Sequence, residues 1–326
     1  MPAITEISPE ILRDRHRLSP QQINVLFGRE VIKESFEEKA AALGKVAEFL
    51  RVTDAFTAEG LRFIPLKGPI LSYRLYGDAT WRHYYDLDIL VDFTSVSKSA
   101  KLLSELGYLS MYHTWPEKKC GQRLITNHMH HVFFTHPLNE LNIELHWRLF
   151  QTPAVRFSKI EDLVKKYQSG EIFAGRSFHV LSDELELLYL VMHGSIHFWR
   201  RLKWLIDVDA YIKTRNIDWK LFERLARDLK AERLVSVGKS VLTEYFPESP
   251  LVPFNDYAPR FMKELALQKV GEPEDNDIES VMMLLKRWRY SFLSYPGVSY
   301  KLSRVWNFIL FYAYGLFRQM LNRTKR

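Results

Sequence analysis

The chain has little cysteine and no stretch typical of a membrane span or an export signal. Its 326 residues contain one cysteine, Cys120, so no internal disulfide can form. The first residues, MPAITEISPE, lack the basic start and the continuous apolar run of a secretory signal. No low-complexity tract interrupts a composition of 47% hydrophobic and 26% charged residues, which is close to the average for folded proteins. These absences exclude a disulfide-stapled secreted fold and predict a well-folded cytoplasmic protein.

The sequence also lacks a long run of charges of one sign. The formal net charge is +7 and the pI is near 9.2, and the basic residues are dispersed apart from short groups such as Arg200–Arg201 and the basic end at 323–326. A positive surface favours anionic partners, which include nucleoside triphosphates, nucleic acid and acidic lipid headgroups. The dispersion argues against a dedicated duplex-binding module, and charge alone leaves the other partners open.

Hydrophobic periodicity divides the chain into three predicted parts. Residues 1–60 are predicted to form an N-terminal helical segment, since apolar residues recur there at three- and four-residue spacing. Residues 61–150 are predicted to form a small mixed α/β core. Residues 151–326 are predicted to form a mainly helical domain, because helical periodicity dominates from Asp183 onward. The predicted fold class is therefore α+β.

Short alternating or apolar stretches indicate the strands of the middle part. They cover residues 62–66, 86–91, 130–135 and 141–149, with a turn at 137–139. Two helices are predicted between them, over residues 70–76 and 94–106, because Pro69 suits the first turn of a helix and glycines follow both stretches. Together these elements predict one small sheet flanked by helices.

Three acidic residues are the candidates for chemistry in this sheet. Asp86 and Asp88 lie two residues apart in a predicted strand, so their carboxylates point to the same face. Glu144, between apolar Ile143 and Leu145, can supply a third carboxylate from a neighbouring strand. Such a group of oxygen ligands favours Mg²⁺ (or Mn²⁺) over zinc, and it can hold two ions about 3.5–4 Å apart for phosphoryl or nucleotidyl transfer.

The turn at residues 67–69 is a candidate phosphate cradle. Gly68 allows close approach of the backbone, the following helix start offers free N–H groups, and Lys67 adds a positive charge. Arg82, shortly before the acidic pair, can bind a further phosphate oxygen or form an ordinary ion pair. Both alternatives for Arg82 remain open at the level of sequence.

In combination these motifs resemble one known family. Residues 66–68, 76–78, Arg82, 86–91 and 143–147 resemble the uncharacterised nucleotidyltransferase family of the DNA polymerase beta-type superfamily, and His193, 201–204 and Asp207 are similar to its later helical motif. The resemblance covers about residues 60–215. It implies a minimal nucleotidyltransferase sheet, with Asp86, Asp88 and Glu144 as catalytic metal ligands and Lys67, Gly68 and Arg82 at the nucleotide.

The resemblance also implies what the reaction is. A nucleoside monophosphate would pass from a nucleoside triphosphate to an acceptor that the family leaves mostly undefined. Arg201 and Asp207 are placed near the cleft only by the resemblance, since His193, Arg201, Trp204 and Asp207 otherwise predict a buried polar network between two helices. The superfamily's usual Gly-Ser or Gly-Gly is Lys67-Gly68 here, so no serine hydroxyl is available and the choice of nucleotide stays open.

Five histidines raise the alternative of a zinc site: His128, His130, His131, His136 and His146. The sequence argues against zinc, because no cysteine other than Cys120 is available as a ligand and histidines in strands commonly pack or form hydrogen bonds.

The aromatic-rich segment 302–317 is too short, and too interrupted by Arg304 and Asn307, to be typical of a membrane span. A core helix, a partner-binding helix and an interfacial membrane helix remain open for it.

The complete set of three acidic residues, Asp86, Asp88 and Glu144, favours an enzyme. The alternatives are a catalytically inactive nucleotide-binding regulator or antitoxin-like partner, and a peripheral membrane protein of surface-polymer assembly.

Overall fold

The computed structural model describes residues 4–110, 122, 129–138, 141–150, 154–250, 253–272, 281–298, 300–302 and 305. It has the predicted α+β class, with a five-stranded mixed sheet, a separate two-stranded sheet and many helices. The division of the chain at residues 60 and 150 remains a prediction.

The N-terminal part is helical, as its periodicity predicts. A short 3₁₀ turn at Ile4–Glu6 precedes α1 (Pro9–Asp14), α2 (Pro20–Phe27) and α3 (Phe36–Ala58). Each helix begins where a serine side chain accepts a backbone N–H of the first turn, at Ser8, Ser19 and Ser35. These caps satisfy donors that a helix start leaves free, and they explain why one periodic stretch is divided into three helices.

The central sheet contains β1 (Phe63–Pro65), β2 (Asp86–Val91), β3 (Leu109–Ser110), β4 (His131–Thr135) and β5 (Asn142–His146). Their order is β1-β2-β5-β4-β3. The central pair, β2 and β5, is parallel, and the other neighbours are antiparallel. In the parallel register Asp88 lies opposite Glu144. The sheet therefore brings together two carboxylates that are far apart in sequence.

Two helices connect the sheet strands. Helix α4 (Gly68–Tyr76) begins at Gly68, whose φ of +68° suits glycine, and has Pro69 in its first turn. It ends at Gly77, which is left-handed. A 3₁₀ turn at Phe93–Ser95 leads into α5 (Val96–Glu105). Both helices agree with the predicted stretches to within about two residues.

A β-hairpin lies in a region to which the sequence analysis assigned no element. After α6 (Phe157–Lys166), β6 (Gln168–Phe173) and β7 (Arg176–Leu181) pair in an antiparallel hairpin. Its aromatic side chains pack against α3, with ring centroids of Phe49 and Phe178 5.5 Å apart. The hairpin thus covers the same core as the central sheet.

Six further helices follow in the described residues: α7 (Asp183–Ile196), α8 (Leu202–Thr214), α9 (Trp219–Asp228), α10 (Glu232–Tyr245), α11 (Arg260–Gly271) and α12 (Val281–Ser294). The turn between α7 and α8 is anchored by Trp199, which is fully buried. A Cβ added at Gly194 would lie 2.5 Å from this ring, and one at Gly238 would lie 3.0 Å from it. The absence of side chains at these two glycines lets the turn sit close to the helices.

A buried arginine ties the sheet to the helices. Arg74 of α4 donates to Asp183 Oδ1 at 2.6 Å and forms an ion pair with Glu186, both on α7. Its side chain is buried, and Glu171 of β6 lies 3.4 Å from its Nε. These contacts orient α4, which follows Lys67 and Gly68, against the helix that carries His193.

No helix in the part of the chain that the structure describes is long and apolar enough to cross a membrane. Of the segment 302–317, only residues 302 and 305 are among the described residues. The alternatives for that segment therefore lie outside them.

Candidate active site

Two of the three predicted carboxylates meet at the centre of the sheet. Asp88 is 3% exposed, and His146 Nε2 lies 3.1 Å from its Oδ1 and 3.2 Å from Glu144 Oε2. Because a carboxylate only accepts hydrogen bonds, the imidazole donates to the pair. Burial opposes a charge on His146, but the hydrogen bonds to Asp88 and Glu144 outweigh it and raise the pKa of the ring. His146 therefore bridges the two acids.

Lys67 faces the other oxygen of Asp88. Its Nζ lies 3.3 Å from Asp88 Oδ2 and 5.6 Å from the centre of the Tyr189 ring. Burial alone would raise the pKa of the Asp88 carboxyl, but Lys67 and then His146 hold that pKa well below its usual range. Asp88 in turn raises the pKa of Lys67 despite burial. The residue predicted for phosphate binding thus neutralises a carboxylate in this structure.

Asp86 stands apart from this pair. It begins β2, is half-buried, and lines a cavity beside the sheet. Within the described ranges, two sets of three side chains bring ligand atoms within 4.8 Å of one another: Asp88, Glu144 and His146, and His130, His131 and His146. Asp86 belongs to neither set. The structure thus groups two of the predicted carboxylates with an imidazole that the sequence analysis did not select as a ligand.

The cavity beside the carboxylates is strongly basic. Its volume is about 170 Å³, and Gly68, Asp86 and Glu144 are among its lining residues. Six basic residues also line it: Arg17, Lys67, Arg82, Arg200, Arg201 and Lys203. A polyanion gains from such a surface, because walls of low dielectric strengthen the attraction between its charges and the basic side chains. The cavity thus favours an anionic ligand.

Arg82 and Asp207 form a buried ion pair. Arg82 Nε lies 3.0 Å from both carboxylate oxygens, and Nη2 lies 2.8 Å from Oδ2. The two residues are 3% and 1% exposed. Arg82 Nη1 is buried and makes no hydrogen bond to the described residues. Arg82 therefore forms the ion pair that was one of its two alternatives. Its partner, Asp207, lies 125 positions later in the sequence.

Arg201 lies on the helical wall of the cavity. Its guanidinium is 5.7 Å from the centre of the Trp204 ring, and that ring lies 5.3 Å from both His193 and His197. Of the predicted network of His193, Arg201, Trp204 and Asp207, the first three lie together as a cluster of two rings and a guanidinium, whereas Asp207 pairs with Arg82. The cluster forms the side of the cavity opposite the sheet.

Lys203 is a cavity residue that the sequence analysis missed. It is 8% exposed, and its Nζ lies 5.8 Å from the centre of the Tyr85 ring. Burial, reinforced by the positive charge of Arg82, lowers the pKa of Lys203 to about 7, although Asp86 and Asp207 act in the opposite direction. The sequence feature that could have identified it is the position of this lysine within a helical stretch of apolar residues, Leu202, Leu205 and Ile206.

We expect the Lys203→Met substitution to stabilise the chain more at pH 6 than at pH 9. In the folded chain the pKa is about 7, against an ordinary value of 10.5, so between these values the unfolded chain binds more protons. The contribution of Lys203 to the free energy of unfolding of the wild-type chain therefore becomes more favourable as the pH rises from about 7 to 10.5. The advantage of the variant should shrink by about 3 kcal/mol between pH 6 and pH 9, as measured by urea unfolding.

Lys213→Met on the same helix is the matched control, because Lys213 is 45% exposed and pairs with Asp209 at the surface. An equal gain for Lys203→Met at both pH values would contradict the depressed pKa.

Comparison with known proteins agrees with the resemblance seen in the sequence. A model of the family described as uncharacterised nucleotidyltransferase matches residues 28–247. A search of curated proteins found no match. Among solved structures, a solution structure of the antibiotic-resistance factor ANT(2'')-Ia is similar, with 13% identity and a TM-score of 0.34 over 62% of this chain and 93% of that chain.

A crystal structure of ANT(2")-Ia in complex with adenylyl-2"-tobramycin shows 15% identity and a TM-score of 0.33 over 62% of this chain and 98% of that chain. The family model covers well over half of the chain, including β2, β5 and all the lining residues of the basic cavity except Arg17. The chain belongs to the uncharacterised nucleotidyltransferase family and is a transferase of that class.

Proposed function

We propose that the chain transfers a nucleoside monophosphate from a nucleoside triphosphate to an acceptor hydroxyl. The acceptor oxygen attacks the α-phosphorus, the bond to the leaving pyrophosphate breaks, and the acceptor loses its proton. The observation that carries the proposal is the position of Asp88 and Glu144, opposite each other on β2 and β5 beside the basic cavity. The single cysteine supports a cytoplasmic location for this activity.

The side chains fit a divalent metal, Mg²⁺ or Mn²⁺, as the cofactor. Asp88 Oδ2 is buried and has only the Lys67 ammonium, 3.3 Å away, as its partner among the residues described, and Asp88 and Glu144 already share one proton donor. Asp88 and Glu144 would hold the metal, and Asp86, which lies apart from them at the start of β2, would have to move toward them to join as the third predicted ligand. When bound, it supplies positive charge that neutralises the phosphates and eases deprotonation of the acceptor.

Lys67 and His146 prepare the carboxylates for this role. Together they keep Asp88 ionised and hold its two oxygens in fixed directions. Lys67 pairs with the Asp88 oxygen that a cation would also bind, so its ammonium would have to leave that oxygen for a metal to be held there. Gly68 starts the adjacent helix, so the freed ammonium and the N–H groups of α4 can both bind phosphate oxygens.

Glu144 is our candidate for the group that accepts the proton of the acceptor. Burial raises the pKa of its carboxyl, although the hydrogen bond from His146 acts against this. A carboxylate of raised basicity is better suited to take a proton at neutral pH. The basic residues of the cavity, Arg82 and Arg201 among them, hold the triphosphate in line, so catalysis comes chiefly from positioning and charge neutralisation.

One observation favours a second function, a nucleotide-binding regulator that makes no product. Lys67 and His146 already neutralise Asp88, as in a site that has exchanged a metal for fixed cations. Such a chain would retain the basic cavity and bind nucleotide without cleaving it.

Incubation with labelled ATP, GTP, CTP and UTP separates these two functions. The chain is supplied with Mg²⁺ or Mn²⁺ and a pooled extract of metabolites and RNA, and pyrophosphate and transferred label are measured. Nucleotide binding is followed in parallel by calorimetry. Metal-dependent pyrophosphate release that EDTA abolishes supports the transferase. Tight nucleotide binding with no pyrophosphate from any of the four nucleotides would support the regulator instead.

A further inference from the structure

We propose that His130, His131 and His146 form a binding site for one borderline divalent transition-metal ion, of which Zn²⁺ is the reference, with water at the fourth position. The site adjoins the carboxylates described above, because His146 also contacts Asp88 and Glu144. It does not depend on nucleotidyl transfer, because it is defined by nitrogen ligands that a magnesium site does not require.

The three imidazoles converge on a small volume. One ring nitrogen from each lies within 4.8 Å of the others. His131 Nδ1 is 2.8 Å from His130 Nε2, and the ring centres of His131 and His146 are 4.9 Å apart. Ligands of tetrahedral Zn²⁺ lie about 3.4 Å from one another at a metal–nitrogen distance of about 2.0–2.1 Å. Small side-chain rotations are therefore enough to close the site.

Glu144 lies at the edge of the cluster. Its Oε2 lies 3.9 Å from His131 Nε2 and 3.2 Å from His146 Nε2, whereas His131 turns Nδ1 toward His130, so Glu144 stays outside the ligand set. Three imidazoles with water at the fourth position make up a set that zinc and similar ions accept. A site of this kind needs no cysteine.

The sheet fixes the main chain of all three histidines. His131 and His146 are direct partners across the antiparallel strands β4 and β5. The carbonyl of His130, just before β4, accepts hydrogen bonds from Trp147 N at 3.0 Å and Arg148 N at 3.4 Å. Because the backbone is held in this way, an ion would not have to order the chain in order to bind.

The hydrogen-bond inventory of His146 favours an ion over simple packing. Its side chain is 5% exposed, and its Nδ1 is buried without a hydrogen bond to any described residue. A buried nitrogen left in this state is unfavourable, because it has lost its hydrogen bond to water. The same ring uses Nε2 for Asp88 and Glu144. A bound cation would satisfy His146 Nδ1, which has no partner among the described residues.

Metal titration of the full-length chain tests the proposal without nucleotide. The protein is stripped with EDTA and dialysed, and Co²⁺ is then added while the visible d–d absorption is followed; Zn²⁺ binding is measured by calorimetry. We expect one ion per chain, intense absorption typical of a four-coordinate Co²⁺ site, and no competition from millimolar Mg²⁺. Absence of stoichiometric binding of both Zn²⁺ and Co²⁺ would overturn the proposal.

Variants identify the ligands. His131→Gln and His130→Gln should each weaken Zn²⁺ binding by at least about 10-fold, whereas His179→Gln, on the exposed edge of β7, should not change it. Circular dichroism of each variant checks the fold. If Zn²⁺ binds equally well to wild-type, His130→Gln and His131→Gln proteins, the histidines form a hydrogen-bonded cluster and the proposed site is wrong.

Asp86→Asn separates this site from the proposed function. Asp86 belongs to neither set of close ligands. Its replacement should leave Zn²⁺ affinity unchanged while nucleotidyl transfer falls. Loss of Zn²⁺ binding in this variant, with binding retained in His131→Gln, would assign the ion to the carboxylates and contradict the histidine site.

Discussion

Replacing Asp88 with asparagine is expected to lower metal-dependent pyrophosphate release by at least about 10³-fold. Asp88 is the most buried of the three predicted acids, and both of its oxygens face polar partners, Lys67 on one side and His146 on the other. Asparagine has nearly the same shape but no charge, so it removes attraction for a cation without opening a cavity. The measurement is the initial rate of pyrophosphate formation with the preferred nucleotide.

The same substitution should also cost stability, because Lys67 then keeps its charge in a buried place without a partner. Loss of one member of a buried ion pair costs about 3–5 kcal/mol. The double variant Lys67→Met/Asp88→Asn should regain most of this loss in urea unfolding, yet remain inactive. Recovery of activity together with stability would show that Asp88 acts only by holding Lys67.

Asp92→Asn is the matched control. Asp92 follows the end of the same strand, is half-buried, and caps no helix with its side chain. Its replacement should leave both the rate and the free energy of unfolding within the error of the wild-type values. A rate for Asp88→Asn equal to that of Asp92→Asn would remove Asp88 from the site.

Strands of the central sheet could be predicted from local sequence, because alternation of polar and apolar residues, or an apolar run, is visible within a few residues. Alternating and apolar positions indicated β2 and β5, and Pro69 marked the first turn of α4. Because successive side chains of a strand point to opposite faces, the pattern also indicates which residues share a face. Asp88 and Glu144 approach each other once the two strands are neighbours. That β2 and β5 are neighbours could not be predicted from the local pattern, because β3 and β4 lie between them in the sequence.

The sequence of the hairpin β6–β7 shows the alternation of a strand, although no strand was predicted there. Phe178 and Val180 are buried between exposed Ser177 and His179, which is the alternation of a half-buried strand. Ala174 and Gly175 both have positive φ in the turn. Glycine next to a small residue between two such runs is typical of a two-residue hairpin.

Side-chain partners were harder to predict, because they depend on contacts between distant segments. No local pattern pairs Arg82 with Asp207, or shows that His146 donates to two carboxylates. The depressed pKa of Lys203 likewise depends on burial against Arg82, from another part of the chain. Residue types indicated the class of chemistry, and the tertiary packing decides which charges remain available to a ligand.

Breaking the Arg82–Asp207 pair from one side is expected to give one of the largest losses of stability in the chain. Asp207→Asn leaves the Arg82 guanidinium charged and buried, and Arg82→Met leaves the Asp207 carboxylate in the same state. Each should lower the free energy of unfolding by about 3–5 kcal/mol. The double variant Arg82→Met/Asp207→Leu should lose much less, because apolar side chains of similar size replace both charges.

The exposed pair of Arg176 and Asp54 is the matched control. It has the same two-point geometry, with Nε and Nη2 at 2.6 and 2.7 Å from the carboxylate oxygens, but its side chains are 39% and 51% exposed. Its disruption by Arg176→Met should cost at most about 1 kcal/mol in the same urea experiment. Equal losses for the two pairs would show that burial does not set the cost.

Nucleotide affinity then separates a structural role of Arg82 from a role in phosphate binding. Arg82 lines the basic cavity and keeps Nη1 buried without a hydrogen bond to the described residues. We expect the stable double variant Arg82→Met/Asp207→Leu to bind ATP at least about 10-fold more weakly than wild type in calorimetry, as the loss of one charge-assisted hydrogen bond implies. Unchanged affinity in that variant would restrict Arg82 to holding α8 against the sheet and leave the phosphates to Lys67, Arg201 and the N–H groups of α4.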